Sequence, residues 1–312
     1  MKGKMSFEEF TDLVRDNILN CLPERFKDAE VKLQTVTKNN NLKLTGLTVL
    51  LPERNMAPTI YLEEFYKKYE KGEHISYILE EIADIHIEHE VQDDFDTSMV
   101  TDFERCKDKI YPRLVSMEWN DLEEYPHVEM EDLAVIFNIN LGADEHGSMG
   151  IKVHHGLMNI WKVGVDELYQ LSLRNLEREN NTTFKSMRET MVEILLPDAV
   201  KEYDGDVYEA RRCLEALLPP SDTLYVLSNT SKAFGANAVL DNNMMESIVE
   251  EFGDIYILPS SVHELLIVPA DAGMEVSRLR SMVEDVNSTV NLEERLSNNV
   301  YTYNLIDGLK IA

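Results

Sequence analysis

No Cys-x-x-Cys pair occurs in this sequence, and its three cysteines, Cys21, Cys106 and Cys213, lie far apart in 312 residues. That spacing signals neither a zinc knuckle nor a redox dithiol, and a sparse, odd set of thiols suits a reducing compartment. Long apolar runs are also missing. The longest, such as "LLIV" and "LAVIF", fall far short of the ~20 residues that span a bilayer. The opening residues, "MKGKMSFEEF", lack the apolar core of a secretory signal. The expectation is a cytoplasmic protein with free thiols and no membrane segment.

The phosphate-binding patterns G-x-x-x-x-G-K-[ST] and G-x-G-x-x-G are absent, as is the G-x-S-x-G nucleophile elbow. Nucleotide-dependent and hydrolase readings lose their usual anchors, and no cofactor is implied. Basic residues are scarce: 30 Lys and Arg stand against 58 Asp and Glu, a net charge of −28. Their distribution says more than the total. Leu114 to Ile151 holds nine acids and no base; Ala233 to Ser277 holds eight, and Asp84 to Glu104 another eight, again with no base. Such surfaces repel phosphate backbones, so direct nucleic-acid binding is not expected. The same charge would suit a basic protein partner, or a mimic of nucleic acid that occupies a DNA-binding protein. The plainest reading is solubility.

What is present describes a globular chain, with 44% hydrophobic residues and a length that allows one large domain or two. Ser6 and Glu9 form a capping box before a helix marked by Phe7, Phe10, Val14 and Ile18. Val31, Leu33 and Val36, then Leu42, Leu44 and Leu47, read as a hairpin turning at Asn39–Asn41, with a slip in alternation that points to a bulge. "IYLEEFYKKYEKG" reads as a short helix closed by Gly72. Ile75, Ile78, Leu79, Ile82 and Ala83 mark one face of a helix over Glu73–Val91, and that face continues to His86 and His89. "KIYPRLVSMEW" and "LAVIFNINLG" read as strands, followed by a glycine-rich turn over Gly142–Gly150. Val165 to Leu196 is helical, ended by Pro197, and Arg211–Leu218 is a short helix.

The C-terminal third orders as strand, strand, helix twice, over Thr223–Gly253 and Asp254–Asn287, with "GANAVL" as a strand of the first unit. A last strand, "NVYTYNLI", follows. The fold class is α+β, with mixed, largely antiparallel sheets and packed helices. A division into an N-terminal region, 1–150, and a C-terminal region, 151–312, is expected.

Two constellations carry candidate chemistry. His86, His89 and Glu90 lie in "HIEHE" at the end of a helix, where i and i+3 bring two imidazoles to one side and could share a metal. The zinc-protease order H-E-x-x-H is not met, and the alternative is two histidines bordering a core. The second is "DIYILPSSVHELLIVP", Asp254 to Pro269, with Ser261, His263 and Glu264 close together. If Val262–Val268 is a strand, Ser261 and His263 share a face and Glu264 points away. The three alone cannot make a triad, because the acid must orient the same imidazole. The strand itself should be central and covered on both sides. Asp204 and Asp206 lack calcium-loop spacing.

"LLPERNMAPTIYLEEFYKKYEKG", "LYVLSNTSKAFGANAVL" and "YILPSSVHELLIVP" together resemble a bacterial family of unknown function, found in anaerobic Gram-positive gut bacteria. The resemblance spans about Phe7 to Val268, and the Pro-Ser-Ser-x-His-Glu block at Pro259–Glu264 is its most specific part. It implies a cytoplasmic bacterial protein, carried in some cases on mobile elements, and brings no activity, cofactor or catalytic residue. The leading expectation is an acidic regulatory protein acting through protein contacts. The alternatives are a hydrolytic or metal-assisted enzyme with a site near His263, and a nucleic-acid mimic.

Overall fold

The computed structural model describes residues 4–91, 93–144, 147–220 and 223–312. The chain parts into two compact units, Met1–Thr97 and Ser98–Ala312. A division near residue 150 would fall inside a strand, Gly147–Lys152, that pairs with Leu133–Asp144. Cutting there would leave one strand of a hydrogen-bonded hairpin unpaired.

In the first unit α1 (Phe7–Asn17) begins at the Ser6–Glu9 capping box, in which each side chain bonds the other's backbone N–H. Strands β1 (Glu30–Thr37), β2 (Lys43–Leu50) and β3 (Thr59–Tyr61) form an antiparallel sheet in that order. The β1–β2 register runs without a break from Glu30↔Leu50 to Thr37↔Lys43, so there is no bulge. The slip in hydrophobic alternation reflects a half-exposed strand. Asn40 and Asn41 take left-handed backbone in the turn, a conformation asparagine tolerates. Helices α2 (Glu63–Glu70) and α3 (Ile75–Glu88) follow. Phe10, Val14, Ile18, Phe26, Leu47, Leu62, Ile78 and Ile82 are the buried core of this unit.

The second unit opens with the short helices α4 (Ser98–Thr101) and α5 (Phe103–Cys106). A four-stranded antiparallel sheet follows, from β4 (Ile110–Ser116), β5 (His127–Met130), β6 (Leu133–Asp144) and β7 (Gly147–Lys152). β6 is its axis and pairs with the other three. The glycine-rich turn expected over Gly142–Gly150 lies in part outside the described residues. Helices α6 (His155–Trp161) and α7 (Val165–Glu179) lead to β8 (Thr182–Ser186), then α8 (Met187–Glu202) and α9 (Val207–Leu217).

The helix expected over Val165–Leu196 is therefore two helices with a strand between them. Asn180 ends α7 in left-handed backbone, Thr182 and Thr183 favour extended chain, and Ser186 with Glu189 forms a second capping box that restarts the helix. Pro197 sits inside α8 and does not end it. Asp206 caps α9 through the Glu209 N–H, a structural use for one of the loop acids.

A six-stranded antiparallel sheet in the order β13-β12-β10-β11-β9-β8 completes the unit. It adds β9 (Tyr225–Asn229), β10 (Ile255–Ser261), β11 (Glu264–Pro269), β12 (Tyr301–Asn304) and β13 (Gly308–Ile311), with α10 (Asn242–Phe252) and α11 (Val276–Thr289) between them. The fold is α+β, as the patterning implies. The second strand–strand–helix unit is β10–β11–α11. In the first, "GANAVL" is a 3-10 helix, Gly235–Leu240, in place of a strand. Ala236, Ala238, Val239 and Leu240 are buried there all the same, which is why the run reads as a strand.

β11 is central and covered on both faces. Leu265 and Ile267 join the cluster that contains Leu114, Val135, Leu240 and Met245. Leu266 and Val268 join the cluster built on Leu279 and Val283 of α11.

Candidate functional site

β10 ends at Ser261 and β11 starts at Glu264, paired with each other, so Val262 and His263 are the hairpin turn. The expected strand over Val262–Val268 is shorter by two residues, and His263 stands at a hairpin tip where face alternation does not apply. Ser261 Oγ accepts the backbone N–H of His263 at 3.0 Å, a local turn bond. Ser260 Oγ and Glu264 Oε1 lie 3.4 Å apart. The three candidate residues thus adjoin, but neither Ser261 nor Glu264 bonds the imidazole.

The imidazole is held by residues distant in sequence. Its Nδ1 accepts the backbone N–H of Phe234 at 3.2 Å. That assigns the proton of the neutral ring to Nε2, which lies 3.7 Å from Glu294 Oε1. The neighbouring backbone is clasped as well: Ser228 Oγ donates to His263 O at 2.7 Å, and Val262 N–H donates to Glu294 O at 2.7 Å. A serine triad needs one ring nitrogen on the acid and the other facing the nucleophile. Here the second nitrogen is committed to a backbone amide. The geometry is that of a staple joining the β10–β11 turn to the segment after β9 and to the chain near Glu294.

Phe234 itself is in left-handed backbone, φ 53°, a strained state for an aromatic residue. Its ring is 5.6 Å from that of His263, and the Arg113 guanidinium carbon stands 3.7 Å over it. Burial pulls the Arg113 guanidinium down to about 10, with Glu293 opposing that shift. Arg113 Nε is buried without a hydrogen-bond partner among the described residues. Gly235 follows, and only glycine fits. A Cβ there would lie 2.3 Å from Ser228 Oγ, 2.4 Å from His263 O and 2.8 Å from Asn229 N. Asn237 then acts as a substitute strand for the edge of β4: its Oδ1 accepts Leu114 N–H at 2.9 Å and its Nδ2 donates to Pro112 O at 2.8 Å. Arg113, Phe234, Gly235, Asn237 and Glu294 have no local motif that marks them, because each finds its partners across long sequence separations.

The histidine pair of the first unit divides. His86 is buried and meets Phe26 edge-on, with ring centroids 5.2 Å apart. Its Nδ1 has no hydrogen-bond partner among the described residues. Burial lowers its proton affinity, Glu90 works against that, and Arg25 adds to it. His89 is half-buried at the end of α3, and Glu90 forms an ion pair with Arg25 at 2.6 Å. Among the described residues no group of three or more His, Cys, Asp or Glu is placed to hold a metal ion. The i, i+3 spacing positions one ring in the core and the other at the helix terminus, where the two environments differ.

A polar centre not marked by any motif surrounds Asp132, in the β5–β6 turn. Its carboxylate accepts from Tyr301 OH at 2.6 Å, Ser297 Oγ at 2.6 Å and Asn299 Nδ2 at 3.0 Å. Burial, reinforced by that bond to Asp132, holds the Tyr301 phenol far above its ordinary range. This centre ties the four-stranded sheet to the start of β12.

The chain belongs to a family of unknown function, DUF5688, whose model matches residues 7–305. No curated protein and no solved structure matches it. No helix among the described residues is long and apolar enough to cross a membrane.

Proposed function

We propose that this member of a family of unknown function is an acidic bacterial protein, regulatory and cytoplasmic, that works through protein–protein contacts with a basic partner. One observation carries the reading. The connection from β4 to β5 and β5 itself expose Glu118, Glu123, Glu124 and Glu129, and none of these has an ion-pair partner among the described residues. Acids left unneutralised on one short segment give a field that steers a basic surface and repels nucleic-acid phosphates. The acceptance of the Phe234 amide by His263 Nδ1 favours this reading over an enzyme at that hairpin.

The test is affinity capture from the native host with the parent chain and with a variant carrying Glu118→Gln, Glu123→Gln, Glu124→Gln and Glu129→Gln. A basic protein that is retained by the parent, released by salt and re-bound in purified form supports the reading. Equal retention by the variant overturns it. A captured partner that is a DNA-binding protein, displaced by duplex DNA, would favour the nucleic-acid mimic.

A further inference from the structure

Arg113 stands on β4, an edge strand of the four-stranded sheet, with its guanidinium carbon 3.7 Å over the Phe234 ring. Among the described residues no carboxylate forms an ion pair with it and no group accepts a hydrogen bond from its buried Nε. A guanidinium offers five N–H donors, and taking it out of water is costly unless partners replace the water. The Phe234 ring returns part of that cost. Glu293 favours the charge without pairing with it, and burial outweighs Glu293. The place is not sealed: Arg113, Phe234 and His263 are each half-buried.

A second donor lies beside the same ring. With Nδ1 accepting the Phe234 N–H, the imidazole proton is on Nε2, and Glu294 Oε1 at 3.7 Å is beyond hydrogen-bond reach. Phe234 is itself held in left-handed backbone at φ 53°, next to a glycine that admits no Cβ. Strain of this kind persists where the surroundings fix a side chain in place, ligand clamps among them.

We propose that Arg113, with His263 Nε2 beside it, is a binding site for a small oxyanion, a carboxylate or a phosphate group. A guanidinium fork takes two oxygens of such a group side by side, and stacking on an aromatic ring holds the fork's plane. The surroundings limit the size of the ligand. Glu293, Glu294 and a net charge of −28 repel anions at long range, so the ligand is held by short-range hydrogen bonds. A polyanion would bring many phosphates against that field, whereas one small oxyanion meets the site alone. Once bound, it would tie β4 to the β10–β11 turn.

The experiment is an NMR titration of the full chain carrying isotopically labelled arginine, with inorganic phosphate, acetate and chloride at constant ionic strength. Arg113→Lys identifies the Arg113 Nε–H signal by its loss. If that variant does not fold, the signal is the one with a nuclear Overhauser contact to the Phe234 ring. The expected result is a saturable shift of that signal with phosphate or acetate and none with chloride. Whichever saturates at lower concentration tells a phosphate site from a carboxylate site. Folded Arg113→Lys keeps the charge and loses the fork, so thermal stabilisation by the same anion should need at least ~10-fold more of it. Glu293→Gln removes a repelling charge outside the site and should lower the dissociation constant by about 3–10-fold. An Arg113 signal that ignores both anions, or answers chloride equally, overturns the proposal. So do folded Arg113→Lys stabilised as well as the parent, and Glu293→Gln that binds no tighter.

Discussion

His263 accepts the Phe234 backbone N–H through Nδ1 at 3.2 Å, across a sequence separation of 29 residues. This bond makes the imidazole an acceptor on one side, so its role in the fold depends on the neutral ring. His263→Ala removes the acceptor and leaves a half-buried amide unpaired, at an expected cost of about 1–3 kcal/mol. His263→Asn can put its side-chain oxygen near the position of Nδ1 and should recover part of that. Urea denaturation of the three proteins checks the order: parent, then Asn, then Ala. Equal losses for the two variants would show that the bond contributes nothing.

Gly235→Ala meets backbone as well as a hydroxyl, since the added carbon would sit 2.4 Å from His263 O and 2.8 Å from Asn229 N. Neither atom can move without opening the β9 end or the hairpin turn. A loss of about 2–3 kcal/mol is expected, by thermal or chemical denaturation. Adding Ser228→Ala removes only one of the three contacts and should not restore stability.

Asp132 and Tyr301 should be energetically coupled. Tyr301→Phe is expected to cost about 1–2 kcal/mol and Asp132→Ala about 3 kcal/mol, with the double variant costing clearly less than the two together. Alkaline ultraviolet titration gives an independent reading. Burial and the Asp132 bond hold the Tyr301 phenol up, so it should fail to ionise with the exposed tyrosines while the protein stays folded. In Asp132→Asn that resistance should lessen.

The first unit should lose stability as pH falls, and His86 should be a source of the loss. Burial lowers its proton affinity in the folded state below the ordinary value of 6.5. Above about pH 6.5 both states hold the ring neutral and it has no effect. Below that, the unfolded chain takes a proton that the folded chain refuses, so stability falls until the lowered folded value is reached. His86→Phe should flatten this part of the stability–pH curve. An unchanged slope would place the acid sensitivity elsewhere.

Much of the local structure is legible along the chain. The capping box at Ser6–Glu9 starts α1, the Asn39–Asn41 turn joins β1 to β2, and the strict alternation of Leu133 to Leu141 is β6. Misreadings occur where two signals share a composition. Gly235–Leu240 is as apolar as a strand, but its burial comes from filling a corner beneath His263, which no periodicity encodes. Val165–Leu196 reads as one helix because the extended break at Thr182–Ser186 pairs with β9, some forty residues later. The candidate cluster at Ser261, His263 and Glu264 is visible as a block of polar residues between apolar runs. What those residues bond is not.

From sequence alone follow the α+β class, the scarcity of bases, and the central, doubly covered position of β11, because each depends only on composition or on side chains a few residues apart. Tertiary structure alone decided that His263 Nδ1 accepts the Phe234 amide, that Asn237 completes the edge of β4, that Asp132 gathers Ser297, Asn299 and Tyr301, and that Met191, Ile194 and Leu195 of α8 are left exposed. These are contacts between segments tens to more than a hundred residues apart, and short-range pattern carries no information about which distant donor meets which acceptor until the sheets have brought them within bonding distance.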